Sequence, residues 1–280
     1  MKLKSFPKWE NIVTKQTNFK AYANKGKLSN FKNTKEINNY RKQQLLNYSV
    51  CADLIKHIFN TTKINAIDIG SGGSALLYTL YNRGILNSGI GIEQSKTYHK
   101  FAELWKKNLN YNTVTNICGD ALQIDYPDNM DLFLIIDSTF PLLAHENKKY
   151  PSLLLSKSYK SLTKGGIIII EINNFHPVVI NGGIKLFCKE FPNTDNFKYG
   201  IYKQTYIKNS NMVHSESTYI KKDFTVSTKE EYVYYYRLID LKELLESYNF
   251  EVLTYFSNFS GSTFHENSSE KLVIIAKKVF

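Results

Sequence analysis

The chain has 280 residues, 42% of them hydrophobic, enough to bury a substantial core in one large domain. No apolar run approaches the ~20 residues of a membrane span, and the opening MKLKSFPKWEN lacks the apolar core of a signal peptide, so a cytoplasmic protein without a membrane partner is expected. The net charge of +11 is spread among Asn, Ile and Tyr rather than gathered into a basic arm, which argues against a dedicated nucleic-acid surface, and Cys51, Cys118 and Cys188 lack the spacing of a zinc site or a disulfide framework.

Residues 1–50 are polar with interspersed aromatics, and from about Asn38 the spacing of Tyr40, Leu45, Leu46, Tyr48, Val50 and Leu54 predicts an amphipathic helix. INAIDIG reads as a short buried strand, SALLYTLYNRG as a helix ended by Gly84, and SGIGIEQS as a second strand ending at Glu93. KTYHKFAELWKKNLN and TVTNICGDA continue the alternation as helix and strand. MDLFLIIDSTF, YPSLLLSKSYKSL and GGIIIIEI follow as strand, helix and strand, the last apolar on both faces as central parallel strands are. Such alternation implies a doubly wound, mostly parallel sheet. From about 173 to 236 the chain turns into short Tyr/Thr/Val/Ile runs, which predict an antiparallel insertion; DLKELLESYNF then restores a helix before two closing strands. The expected organisation is a helical cover over 1–50 and one α/β domain over 51–280, with a lid inserted at about 173–236.

The turn after the first strand admits two cofactor classes. Gly70, Gly72 and Ala75 satisfy the dinucleotide pattern G-x-G-x-x-[GA], in which a pyrophosphate rests on the helix N-terminus. The same segment, read from Asp68, is a D-x-G-x-G turn. A carboxylate at that strand end repels a pyrophosphate and welcomes a cofactor carrying an ammonium and a sulfonium; a glycine turn with no ligand is the plain structural alternative. Glu93 ends the second strand, where an acid accepts the hydroxyls of a ribose in either cofactor class. Asp120, in Gly119-Asp120-Ala121, and Asp137, in IIDSTF, end the third and fourth strands. Four acids therefore fall at the carboxyl edge of four successive strands, the edge at which open α/β sheets bind ligands.

With these motifs the sequence resembles the class I S-adenosylmethionine-dependent methyltransferases over roughly residues 40–172 and 236–280, with Ser74 where a third glycine is common. The resemblance implies a Rossmann-like, seven-stranded sheet and S-adenosyl-L-methionine as cofactor, without a metal. It implies backbone at Gly70, Ser71 and Gly72 against the methionine part and Asp68 near its amine. Glu93 would lie on the ribose hydroxyls, Gln94 beside the adenine, and Asp120 with Ala121 at the adenine edge. Asp137 joins this cofactor set, and Tyr22, Tyr40 and Arg41 are candidates to close over it from the N-terminal segment.

Methyltransferases acting on bases in nucleic acid commonly carry an Asn/Asp-Pro-Pro-aromatic turn after the fourth strand. Here the turn reads Asp137-Ser138-Thr139-Phe140-Pro141, and the Tyr-rich insertion resembles the lid of small-molecule N- or O-methyltransferases, including amino-sugar and glycine N-methyltransferases. The expected reaction is methyl transfer to an N or O atom of a small molecule. Phe140, Tyr235 and Arg237 are candidates for substrate binding. His176, followed by His145, is the candidate general base, against the alternative of an ordinary loop histidine. The competing readings are an RNA or protein methyltransferase using the basic surface, an NAD(P)-binding oxidoreductase, and a non-catalytic module that keeps only the nucleotide site.

Overall fold

The computed structural model describes residues 33–60, 62–190 and 197–280. Two helices come first, α1 (Thr34–Asn47) and α2 (Ser49–Ile58), with the Asn33 side chain capping α1 by accepting from the Glu36 amide at 3.0 Å. Then follow β1 (Ile64–Ile69), α3 (Ala75–Asn82), β2 (Leu86–Glu93), α4 (Lys96–Leu109), β3 (Val114–Cys118), β4 (Met130–Ile135), α5 (Thr139–Glu146), α6 (Tyr150–Ser161) and β5 (Leu162–Asn173). The short α7 (His176–Ile180) leads into β6 (Ile184–Glu190), β7 (Phe197–Ile207), β8 (Met212–Lys221) and β9 (Val226–Tyr234). α8 (Leu238–Ser247), β10 (Phe250–Phe256) and β11 (Lys271–Lys278) complete the described chain.

The main sheet has seven strands in the order β10-β11-β5-β4-β1-β2-β3, with β1 to β5 parallel and β11 antiparallel between β5 and β10. The doubly wound, Rossmann-like expectation is met, and the strand order reverses between β1 and β4, which places the ligand crevice at their carboxyl ends. Strand alternation divides the core. Ala66, Leu132, Leu134, Ile167 and Ile169 face a layer that includes Cys51 and Ile55 of α2, Leu76 of α3 and Trp105 of α4; Ile67, Phe133, Ile168 and Ile170 face Leu154, Leu155, Leu241 and Leu245 of α6 and α8. The same parity turns Asp68 and Glu171 toward the α2 side.

The insertion forms a separate antiparallel sheet, β6-β7-β8-β9. A small cluster of Phe175, Val178, Val213, Val233 and Tyr235, with Leu142 of α5 against it, fastens this sheet to the domain. All three cysteines are free, with Cys51 buried. No described helix is long and apolar enough to cross a membrane.

Candidate active site

A cavity of about 430 Å³ opens at the carboxyl ends of β1 to β4. Its wall includes Gly70, Ser71 and Gly72 after β1, Glu93 and Gln94 after β2, Asp120 and Ala121 after β3, and Asp137 after β4. Tyr40 and Gln44 of α1 and Tyr48, between α1 and α2, form one side, and Leu142, Leu143 and Glu146 of α5 form another. Eight residues that sequence reasoning assigned to a cofactor thus share one cavity with Tyr40, although they span nearly a hundred positions of chain.

The glycine turn is built for close approach. Gly70 (φ +72°) and Gly72 (φ +54°) both adopt left-handed backbone, which side chains rarely tolerate. A Cβ on Gly72 would project into open space, whereas one on Gly70 would strike Thr139 Oγ1 at 2.7 Å, so the first glycine packs on the start of α5 and the second leaves room in the cavity. Glu93 braces the turn: its Oε2 accepts from the Gly72 amide at 2.8 Å and its Oε1 from the Ser95 amide at 2.7 Å. Burial pushes the Glu93 carboxyl upward in pKa, and these amide donors oppose the rise. The carboxylate keeps spare lone pairs on both oxygens. Asp120 accepts from the Leu122 amide at 2.9 Å and so shapes its own turn.

Asp68 stands behind this wall, 2% exposed, and its Oδ1 is buried without a hydrogen-bond partner. Burial pushes its carboxyl well above the usual range, with the charges of Asp137 and Glu93 adding to the rise. An orphaned buried carboxylate oxygen costs ~1–3 kcal/mol or more. An ammonium delivered by a ligand is the group that would relieve it, so this donor set fits S-adenosylmethionine. Asp68, Glu93 and the turn would hold its methionine and ribose parts, and the group would bring an electrophilic methyl to the cavity.

The β4 turn is held by a residue that sequence reasoning did not single out. Asp137 (φ +52°) and Ser138 (φ +60°) are consecutive left-handed residues without a glycine. Glu171, 2% exposed, fixes them: its Oε2 accepts from the Asp137 amide at 2.8 Å and its backbone carbonyl from the Ser138 amide at 3.2 Å. Lys271 of β11 supplies the cation that pairs with Glu171. A lone acid inside the apolar run GGIIIIEIN was the available signal. Asp137 Oδ2 in turn accepts from Tyr48 Oη at 2.6 Å, and burial, followed by the Asp137 charge, raises the Tyr48 phenol well above its ordinary value, so it stays neutral.

The remaining candidates lie outside the cavity. Arg41 is 6% exposed and spreads over Phe101 and Trp105, 5.5 and 5.8 Å from their ring centroids, because its helix turns it into the α4 layer. Phe140 is fully buried on the opposite side of the sheet, against Tyr236. His145 points from α5 to the inserted sheet, with Nδ1 3.4 Å from Met212 Sδ and its ring stacked on Tyr232. His176 hydrogen-bonds Tyr235 through Nδ1 and lies 4.0 Å from Glu266 through Nε2, and Glu266 also binds Arg237 at 3.2 Å. These three sequence candidates, His176, Tyr235 and Arg237, therefore do meet, but as a junction between the insertion and the main sheet. The four-stranded sheet lends no residue to the cavity wall among the described residues, which departs from the expectation of a roof; α5 stands between them. Tyr22 lies outside the described residues.

Residues 67–170, spanning β1 to β5, match the family model for a methyltransferase domain. Similar solved structures include an S-adenosylmethionine-dependent methyltransferase from Clostridium acetobutylicum, at 14% identity over 83% of this chain and 92% of that one with a TM-score of 0.69. The CcbJ methyltransferase from Streptomyces caelestis is similar at 12% identity over 83% and 89%, with a TM-score of 0.71. CalS10 from Micromonospora echinaspora, an amino pentose methyltransferase solved with S-adenosylmethionine bound, is similar at 12% identity over 89% and 98%, with a TM-score of 0.62. At such identities the likeness is one of fold. No curated protein matches the chain by sequence.

Proposed function

We propose that the chain, whose residues 67–170 match a methyltransferase domain, is a class I, S-adenosylmethionine-dependent methyltransferase that methylates a nitrogen or oxygen of a small molecule. The observation that carries this reading is the cavity of about 430 Å³, walled by helices α1, α4 and α5, which suits a cofactor and a compact acceptor better than a polymer. The β4 turn lacks the base-gripping pattern, and CalS10, similar in fold, is an amino pentose methyltransferase.

In this reading Gly70, Ser71 and Gly72 carry the methionine part, Asp68 its ammonium, Glu93 the ribose, and Gln94, Asp120 and Ala121 the adenine. The helices before residue 59 act as the cover, and the β6–β9 sheet acts through α5, which it buttresses. His145 and His176 then position the insertion rather than move protons in the cavity. Excluding water from a sulfonium favours a transition state in which its charge is dispersed, and positioning of the acceptor supplies much of the remainder. Calorimetry with S-adenosylhomocysteine and with NAD, followed by a tritiated-methyl assay across small-molecule pools, tests the proposal. Binding of NAD in preference to S-adenosylhomocysteine would defeat it, as would label appearing only in RNA or protein.

A further inference from the structure

We propose that the acceptor reacts through an amine nitrogen, and that the Asp137 carboxylate, anchored by Tyr48, stabilises the positive charge arriving on that nitrogen. The inference rests on the methyl transfer proposed above and narrows its acceptor class.

The first observation is the sign of the cavity. The chain carries a net charge of +11, yet among the described residues every charged side chain in the cavity wall is acidic: Glu93, Asp120, Asp137 and Glu146. Such a wall concentrates cations, the sulfonium and ammonium of the cofactor among them. The second observation is where Asp137 stands. The start of α5 abuts Gly70 through Thr139, two residues beyond Asp137, so Asp137 lies at the glycine turn, the end of the cavity suited to the methionine part and the reactive methyl. Glu93 and Asp120 belong to the adenosine end, and Glu146 feels the charge of Asp120 and lies with them. Asp137 is the acid left for the acceptor. Its left-handed backbone, the Glu171 carboxylate on its amide and the Tyr48 hydroxyl on its Oδ2 hold it in place, while Oδ1 is left for a ligand.

The chemistry follows the charge. An amine that enters as an ammonium first gives one proton to water. Its lone pair then forms the N–C bond as the S–C bond breaks and leaves its electrons on sulfur, so positive charge passes from sulfur to nitrogen; the product ammonium later releases its proton to water. A fixed carboxylate beside that nitrogen interacts more strongly with the transition state than with the neutral amine, which is the condition for a rate effect. An alcohol acceptor must also give up its proton as it attacks, and a carboxylate, a weak base beside an alcohol, is poorly matched to take it.

The probe is sinefungin, in which a carbon bearing an ammonium replaces the S-methyl group, compared with S-adenosylhomocysteine. On the wild-type protein sinefungin should bind at least about tenfold more tightly, the lower end of what a hydrogen bond to a charged group contributes. Asp137→Asn should abolish that preference, read as the ratio of the two affinities within the same variant. In parallel, the wild-type protein should methylate small primary and secondary amines and leave the alcohols and carboxylic acids of the same skeletons unlabelled, a result that depends on no variant folding. A sinefungin preference that survives in Asp137→Asn, or label in the alcohols, would overturn the amine assignment alone. Failure of S-adenosylhomocysteine to bind the wild-type protein would remove the broader methyltransferase reading with it.

Discussion

The strand-end cavity and the four-stranded insertion differ in how they are built. The cavity is assembled from short turns, each following directly on a parallel strand, so that a residue's place in the chain nearly fixes its place in space. The insertion is a meander whose side chains reach the domain through packing with distant partners: Val213 and Val233 with Phe175, His145 with Tyr232, Tyr235 with His176. Mutations in the first region should act on ligand affinity. Mutations in the second should act on stability and on the acceptor step through α5.

The largest expected effect that separates the two regions comes from Gly72→Val. A branched side chain there projects into the cavity, and cofactor affinity measured by calorimetry should fall by at least ~3 kcal/mol, a loss set by steric exclusion rather than by one contact. Because φ is +54°, the same change should also lower the thermal midpoint modestly, by ~1–2 kcal/mol of stability. Its counterpart in the insertion is Tyr232→Ala, which empties the space between the His145 and His214 rings. It should cost ~3 kcal/mol in thermal unfolding and raise the acceptor KM while leaving S-adenosylhomocysteine affinity within about threefold, less than one typical hydrogen bond.

Asp68→Asn sharpens the contrast, since a buried acid with an unpartnered oxygen is expected to be a liability without its ligand. The folded pKa of Asp68 is raised by burial. Its contribution to stability is therefore complete below the unfolded carboxyl value near ~3.9 and is lost as pH rises through the folded value. At neutral pH the ligand-free variant should melt higher than wild type, yet bind S-adenosylmethionine ~1.5–3 kcal/mol more weakly, the range for a hydrogen bond to a charged group. Wild-type affinity should fall as pH drops below the raised value, because the carboxyl must ionise to meet an ammonium, and titration of the variant should lack that slope. A ligand-free midpoint lower than wild type would contradict the account. The smallest expected effect is that of salt. Raising it from 50 to 200 mM should change transfer to a small acceptor less than about threefold, whereas an RNA held by six phosphate contacts would lose about 10³ in affinity.

The uneven legibility of the sequence has the same origin. Asp68, Glu93, Asp120 and Asp137 were readable because each closes a strand whose apolar run announces itself, and the parallel topology then carries all four to one edge. Arg41 was misleading because a helix buries or exposes a side chain according to rotation, and one turn of phase sends it onto Phe101 and Trp105 instead of into the cavity. His145 and His176 were placed correctly in chain order, near the ends of β4 and β5. Their direction depends on the inserted sheet, whose pairing is set by contacts far apart in sequence. Glu171 escaped notice because its role is defined by a left-handed turn 34 residues earlier and a lysine 100 residues later, neither of which leaves a local pattern.

That lysine ties the site to the order in which the molecule can be completed. Lys271 belongs to β11, which slots between β5 and β10 after every other strand of the sheet has been synthesised. Until it does, β5 has an unpaired edge and Glu171 is an uncompensated charge beneath the turn that presents Asp137. A nascent chain arrested after β10 would hold the glycine turn, Glu93 and Asp120 yet lack a settled fourth wall. Settling of the fourth wall thus waits on β11, which follows every other strand of the sheet in the chain.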